Sequence, residues 1–173
     1  MTNPAELNEA FQKSFGGRPG IYRAPGRVNL IGEHTDYNEG LVMPAAIDLS
    51  TLVAISARED RQIIVRSENF SETVELDLDN PPECGRGHWS DYPFGVAVKL
   101  GQAGQCLHGA NILVRGEVPI GSGLGSSAAI EVAIGYALLD VWGANIDRLV
   151  LARLCQQAEN EFVGLRCGLM DQF

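Results

Sequence analysis

The chain has 173 residues, 45% of them hydrophobic and 20% charged, which suits one soluble globular domain with a full core. A formal net charge of −9 disfavours nonspecific nucleic-acid binding and docking on an acidic membrane. No apolar run approaches the ~18 residues of a membrane span, and the N-terminus lacks the basic and apolar regions of a signal peptide, so a cytoplasmic setting is expected.

Residues 5–15 fit a short amphipathic helix that Gly16-Gly17-Arg18-Pro19-Gly20 breaks. Residues 1–19 are therefore read as an N-terminal extension and 20–173 as the domain. From 21 to about 78 the texture is strand-like. Residues 51–57 and 62–66 are rich in β-branched side chains. Residues 73–78 alternate, with Val74, Leu76 and Leu78 on one face and Thr73, Glu75 and Asp77 on the other. A loop follows over 80–87. Residues 92–100 fit a helix if Pro93 lies in its first turn. A strand is expected over 111–114 and a helix over 127–142. That helix carries only Glu131 and Asp140 as charges, so most of its sides should be buried. Gly143 stops it, and Asn145 or Asp147 caps another helix reaching about residue 163. Strands first, then helices with one strand between, favour an α+β fold over a parallel α/β sheet. Cys84, Cys106, Cys155 and Cys167 show no C-x-x-C spacing and read as free thiols in a reducing compartment.

The densest signal is Pro119-Ile120-Gly121-Ser122-Gly123-Leu124-Gly125-Ser126-Ser127-Ala128-Ala129, between the expected strand and the apolar helix. Glycines let a backbone turn tightly and bring N–H groups close to a ligand. A helix starting there adds unpaired donors and the positive end of its dipole, making an anion site for which a nucleotide phosphate is the natural occupant. The run is not a Walker A loop, which needs Gly-Lys-[Ser/Thr]. The only lysines, Lys13 and Lys99, follow Gln12 and Val98. Phosphates would have to be held by backbone, hydroxyls and a metal.

Two further runs stand out. The first is Gly26-Arg27-Val28-Asn29-Leu30-Ile31-Gly32-Glu33-His34-Thr35-Asp36-Tyr37, whose carboxylates and histidine suit either a metal or a polyol. The second is Gly164-Leu165-Arg166-Cys167-Gly168-Leu169-Met170-Asp171-Gln172-Phe173. The three runs in this order resemble the GHMP kinases, and within them the galactokinases. Residues 26–37 fill the galactokinase signature, 119–129 the superfamily's phosphate loop, and 168–173 the segment that carries the catalytic base. The resemblance covers nearly all of the chain from about Pro19 onward, but only the front half of the family. The C-terminal lobe would lie after Phe173. The chain is thus expected to be a fragment, a truncated product, or one half of a two-chain enzyme, without turnover alone and prone to self-association through the exposed lobe interface.

What the resemblance implies is an α+β domain of the ribosomal-protein-S5 domain 2-like type. It would transfer the γ-phosphoryl group of MgATP to the anomeric hydroxyl of galactose. Asp171 matches the base and Arg27 the cation beside it, which favours an ionised carboxylate and offsets phosphoryl charge. Glu33, His34, Asp36 and Asp171 match sugar contacts, and Gly168 offers close backbone approach. Gly121, Ser122, Gly123, Leu124, Gly125, Ser126, Ser127 and Ala128 match the nucleotide contacts. Trp89 matches an aromatic near adenine, although an ordinary half-buried tryptophan reads equally well. Ser127 and Glu159 match the Mg²⁺ ligands, a hard oxygen pair. On an ideal helix Glu159 shares an apolar row with Cys155 and Val163, while Glu161 lies in a row with Gln157 and should be solvated. His88 and His108 read as structural or surface histidines. The rivals are a kinase for N-acetylgalactosamine or arabinose, and a galactose- and ATP-binding regulator. Relatives of the latter kind lack a Ser-Ala pair in the phosphate loop, which is intact here.

Overall fold

The computed structural model describes residues 3–32, 35–38 and 40–173. Asn3 opens the first helix, α1 (Pro4–Phe15): its side-chain oxygen accepts from the amide of Ala5, and Pro4 stands where a missing N–H costs nothing. Gly16, at a φ of 73°, ends it. There follow β1 (Gly20–Asn29), a 3₁₀ turn (Asp36–Asn38), β2 (Pro44–Ala57), β3 (Gln62–Ser67) and β4 (Glu72–Asp77). Next come α2 (Asp91–Gln102), β5 (Ala110–Gly116), α3 (Ser126–Val141) and α4 (Arg148–Gln157), which runs into a π-helical turn (Ala158–Val163).

The five strands form one mixed sheet in the order β1-β2-β5-β3-β4, antiparallel except for the parallel pairing of β3 with β5. This is the α+β arrangement anticipated from the element order. β2 is buried on both faces because its period-2 alternation serves two layers. Val53 and Ile55 join Ile63, Val65, Ile112 and Val114 in the main core under α2, α3 and α4. Leu52 and Ala54 turn the other way and, with Leu113, receive Leu7 and Phe11 of α1. Val74, Leu76 and Leu78 all pack into the main core, as their alternation indicates. Pro93 does sit in the first turn of α2.

One local expectation is narrowed and one needs correction. Of the two candidate caps, Asp147 is the one used, accepting from the amide of Leu149 at 2.8 Å. The helix expected to reach residue 163 is α-helical only to Gln157. Its last six residues form a π turn, closed by Gly164 at a φ of 86° with its amide on the carbonyl of Glu159. The wider turn re-aims the side chains of 158–163 relative to an ideal helix, a device common at functional sites.

Candidate active site

The site is built where β1, the glycine run and the last residues of the chain meet. The β1–β2 register shifts between Pro25 and Arg27, and such a bulge re-aims the next side chain. Gly26 sits where a Cβ would lie 2.7 Å from the carbonyl oxygen of Leu124, so only glycine allows this approach. The amide of Arg27 donates to that same carbonyl at 2.9 Å. The Arg27 guanidinium then spans two groups. Nη1 donates to the carbonyl of Gly123 at 2.5 Å. Nε donates to Asp171 Oδ1 at 2.7 Å, while Nη2 pairs with Oδ2. The forked pair is mostly sequestered, the two side chains being 17% and 19% exposed. A bidentate, charge-assisted contact of this kind fixes orientation as well as position.

In the glycine run, Gly121, Gly123 and Gly125 all take φ near 73°. Gly125 is the N-cap of α3 and supplies no side-chain cap, so the first-turn amides of α3 are left for an external acceptor. Gly121, Ser122 and Gly123 are exposed, Ser126 and Ser127 half-buried, Gly125 and Ala128 buried. The Ser122 hydroxyl is folded back onto the carbonyl of Pro119 at 2.7 Å.

The sugar-contact expectations divide. Glu33 and His34 lie outside the described residues. Asp36 reaches the final segment, where its Oδ2 accepts from the amide of Met170 at 3.0 Å. Gly168 does provide close approach, but its neighbour is that carboxylate: a Cβ there would lie 1.8 Å from Asp36 Oδ2. Asp36 thus ties the first motif to the residue preceding Asp171.

Glu159 and Glu161 separate as expected, for a partly different reason. Glu159, on the π turn, is 5% exposed. Glu161 is exposed, yet it is paired with Lys99 of α2 at 2.6 Å rather than simply solvated. Glu159 Oε2 accepts from Gln172 Nε2 at 2.8 Å and from the Cys167 thiol at 3.3 Å. The same Gln172 nitrogen lies 3.3 Å from Oε2 of Glu131, which is fully buried on α3. Burial, reinforced by the charge of Glu159, pushes the Glu131 carboxyl well above the usual range. Burial and then Glu159 likewise push the Cys167 thiol up. Glu131, Cys167 and Gln172 were not assigned roles from the sequence. The available signal was that Glu131 is one of only two charges, with Asp140, in a largely apolar helix. All four cysteines are free thiols.

Ser127 lies one helical turn before Glu131 on α3, and Glu131 meets Glu159 through Gln172. A hydroxyl and a carboxylate are thereby carried on neighbouring elements, a donor set suited to a hard divalent cation that keeps its other positions for water or substrate oxygens. Among the described residues no group of three or more His, Cys, Asp or Glu side chains could hold a metal by itself.

A cavity of about 620 Å³ opens beside the glycine run, lined by Phe70, Trp89, Tyr92, Ile120, Ser126 and Ser127 among others. The rings of Phe70 and Trp89 stack, with centroids 5.5 Å apart and planes 9° apart. Glu72 Oε2 accepts from Trp89 Nε1 at 2.7 Å and lies 3.2 Å from His88 Nε2, so His88 braces this wall. His108 is exposed. Burial, with the charges of Glu159 and Glu131 next, raises the Tyr92 phenol. On the other side of the α3 N-terminus, a cavity of about 340 Å³ is lined by Arg27, Ala128, Ala129, Met170 and Asp171 among others. One helix end therefore separates a large aromatic-walled chamber from a smaller one bearing the Arg27–Asp171 pair. This geometry suits an anion held between two ligands.

The family model "GHMP kinases N terminal domain" matches residues 91–173, and the chain superposes on the Methanococcus jannaschii mevalonate kinase with a TM-score of 0.76 at 24% identity, over 90% of this chain and 50% of that one. Fold and loop together define a GHMP kinase N-terminal domain. A second model, "Galactokinase galactose-binding signature", matches residues 9–57. Galactokinases of Roseiflexus sp. and Bacillus subtilis are 47% and 42% identical over 99% and 97% of this chain. The crystal structure of Lactococcus lactis galactokinase complexed with galactose matches 98% of it with a TM-score of 0.93 at 41% identity. The chain belongs to the galactokinase family, corresponding to its N-terminal half. It spans 44% of the length of the Roseiflexus and Bacillus relatives and 45% of the Lactococcus chain.

Proposed function

We propose that this chain forms the N-terminal half of a galactose kinase that transfers the γ-phosphoryl group of ATP to the C1 hydroxyl of galactose, with Mg²⁺. The observation that carries the reading is the Arg27 guanidinium, bonded at once to the Gly123 carbonyl and to both oxygens of Asp171. It couples the phosphate loop to a carboxylate of the kind that can accept a proton. The match to a galactose-binding signature over residues 9–57 supports galactose rather than another sugar.

In this reading the adenine stacks in the chamber walled by Phe70 and Trp89. The phosphates lie on the free amides of residues 121–128 and on the α3 dipole. Ser127 and Glu159 would hold the Mg²⁺, which would supply charge neutralisation on the phosphate oxygens. Asp36, with Glu33 and His34, reads the sugar hydroxyls. Asp171 accepts the C1 hydroxyl proton as the new O–P bond forms and the bond from the γ-phosphorus to the β–γ bridging oxygen breaks, releasing ADP, and Arg27 holds the carboxylate aimed and offsets charge on the transferring group. Activity requires the further half that the relatives carry, which would close the cleft. The exposed apolar side chains Leu30, Ile31, Leu41 and Met43 suit contact with such a lobe. Four free thiols and the absence, among the described residues, of a helix able to cross a membrane accord with a cytoplasmic enzyme.

The test is Asp171→Asn in the chain completed with the C-terminal half of its relatives, assayed by coupled ADP release. A fall in kcat of about 10²–10⁴-fold is expected, with galactose binding weakened but retained. Retention of more than about a tenth of parental kcat would remove the base from the reading.

A further inference from the structure

Gln172 follows Asp171 directly, and its side chain is almost fully enclosed, the residue being 5% exposed. Its Nε2 sits between two carboxyl groups from different elements: Glu159 of the π turn at 2.8 Å and Glu131 of α3 at 3.3 Å. The Cys167 thiol converges on the same Glu159 oxygen, Oε2, at 3.3 Å. Among the described residues no donor meets the other oxygen, Oε1. The backbone around Cys167 is itself pinned, its amide donating to Asn160 Oδ1 at 2.7 Å and its carbonyl accepting from Gln156 and Asn160 at 3.3 Å.

Such a cluster is not there for stability. Glu131 Oε1 and Gln172 Oε1 are both buried without a hydrogen-bond partner among the described residues. A half-satisfied buried network costs more than an apolar core of the same shape. What the arrangement does achieve is orientation. Two donors on Oε2 and none on Oε1 leave the carboxylate with one oxygen anchored and one offered.

We infer that Gln172 is a positioning residue whose amide locks Glu159 Oε2 against Glu131 and so presents Oε1 to the divalent cation. This rests on the reading of Glu159 as a metal ligand. Because Gln172 is the next residue after Asp171, the same anchor fixes the proton acceptor relative to the cation. The base and the metal carboxylate are then set by one side chain rather than independently.

The experiment uses the 173-residue chain, Mn²⁺ as the probe and a nonhydrolysable ATP analogue, with bound Mn²⁺ read by electron paramagnetic resonance. Trp fluorescence reports metal-free nucleotide binding. Gln172→Met keeps length and removes the donor. It is expected to weaken Mn²⁺ binding about tenfold or more, the scale of losing a partner that orients a metal ligand, while metal-free nucleotide affinity stays within about twofold. Glu159→Gln should weaken Mn²⁺ at least as much, and Gln172→Met added to it should cost nothing further. Mn²⁺ affinity within about twofold of the parent in Gln172→Met, or additive losses in the double variant, would overturn the proposal. An unchanged affinity in Glu159→Gln, or no Mn²⁺ binding by the parent chain, would instead defeat the metal reading itself and take this proposal with it. If circular dichroism shows Gln172→Met to be unfolded, Gln172→Asn, which withdraws the amide by one methylene, is judged by the same criteria.

Discussion

Gly168→Ala is the sharpest probe of how the first motif and the final segment are joined. The backbone of Gly168 is not among the positive-φ glycines, so alanine adds no dihedral strain and acts only through its methyl group. That methyl would lie 1.8 Å from Oδ2 and 2.0 Å from Cγ of Asp36, where real contacts need about 3.4 Å or more. The Asp36 carboxylate must retreat by roughly 1.5 Å, which breaks its 3.0 Å bond to the Met170 amide. A lost hydrogen bond to a charged group costs about 1.5–3 kcal/mol, and overpacking about 1–3 kcal/mol. The carboxylate can escape toward solvent, so the lower half of the combined range applies, about 2.5–4 kcal/mol. Urea unfolding of the 173-residue chain measures this directly. Asp36→Ala added to Gly168→Ala should recover the overpacking part, leaving a coupling of about 1–2 kcal/mol between the two sites. Because Met170 precedes Asp171, the single variant should also lose about 10²-fold in kcat in the completed enzyme, the price of a ~1 Å misplacement. A Gly168→Ala chain within about 0.5 kcal/mol of the parent, or simple additivity in the double variant, would refute the reasoning.

Glu159→Gln should raise the Mg²⁺ requirement and lower kcat by about 10²-fold or more in the completed enzyme, whereas Glu161→Gln, which removes only an exposed partner of Lys99, should shift stability by no more than roughly 0.5 kcal/mol and leave the Mg²⁺ titration unchanged. Parallel Mg²⁺ titrations of the two variants decide it, and equal effects would reject the assignment. Phe11→Ala should destabilise the chain by about 3–5 kcal/mol, because the ring is fully buried between α1 and the Leu52–Ala54–Leu113 face of the sheet. At about 2–4 °C per kcal/mol for this size, the melting midpoint should fall by roughly 6–20 °C in differential scanning calorimetry. A fall below about 3 °C would mean that α1 is dispensable to the fold.

The parts of the site readable from sequence are those encoded by neighbours. Gly121, Gly123 and Gly125 announce a tight anion-ready turn because positive φ is a one-residue property. The apolar helix after them and the alternation of 73–78 are periodic signals, and both elements formed where the period put them. What escaped the sequence depends on separation or on a single extra residue in a turn. Glu131 reads as one stray charge until Gln172, 41 residues on, is folded against it. The π turn at 158–163 differs from an α-helix by one residue per turn, which no hydrophobic pattern of six residues can register. Gly168 was legible as a close approach, but that Asp36 fills the space was not, because the two are brought together only by tertiary structure.

The contacts that complete the site also set when it can exist. Arg27 meets Asp171 across 144 positions and Asp36 meets Met170 across 134. Sheet pairing of β1 with β2, by contrast, is satisfied by residues within the first third of the chain. During synthesis the early hairpin, and later β5, can therefore order while the carboxylate that faces Arg27 has not yet been made. The entropic charge for closing loops this long grows only logarithmically, so delay rather than energy is the cost. Until residue 171 leaves the ribosome, Arg27 has no carboxylate partner from this segment, and the loop it braces faces solvent. A nascent chain would thus pass through a state with a formed sheet and an unformed centre.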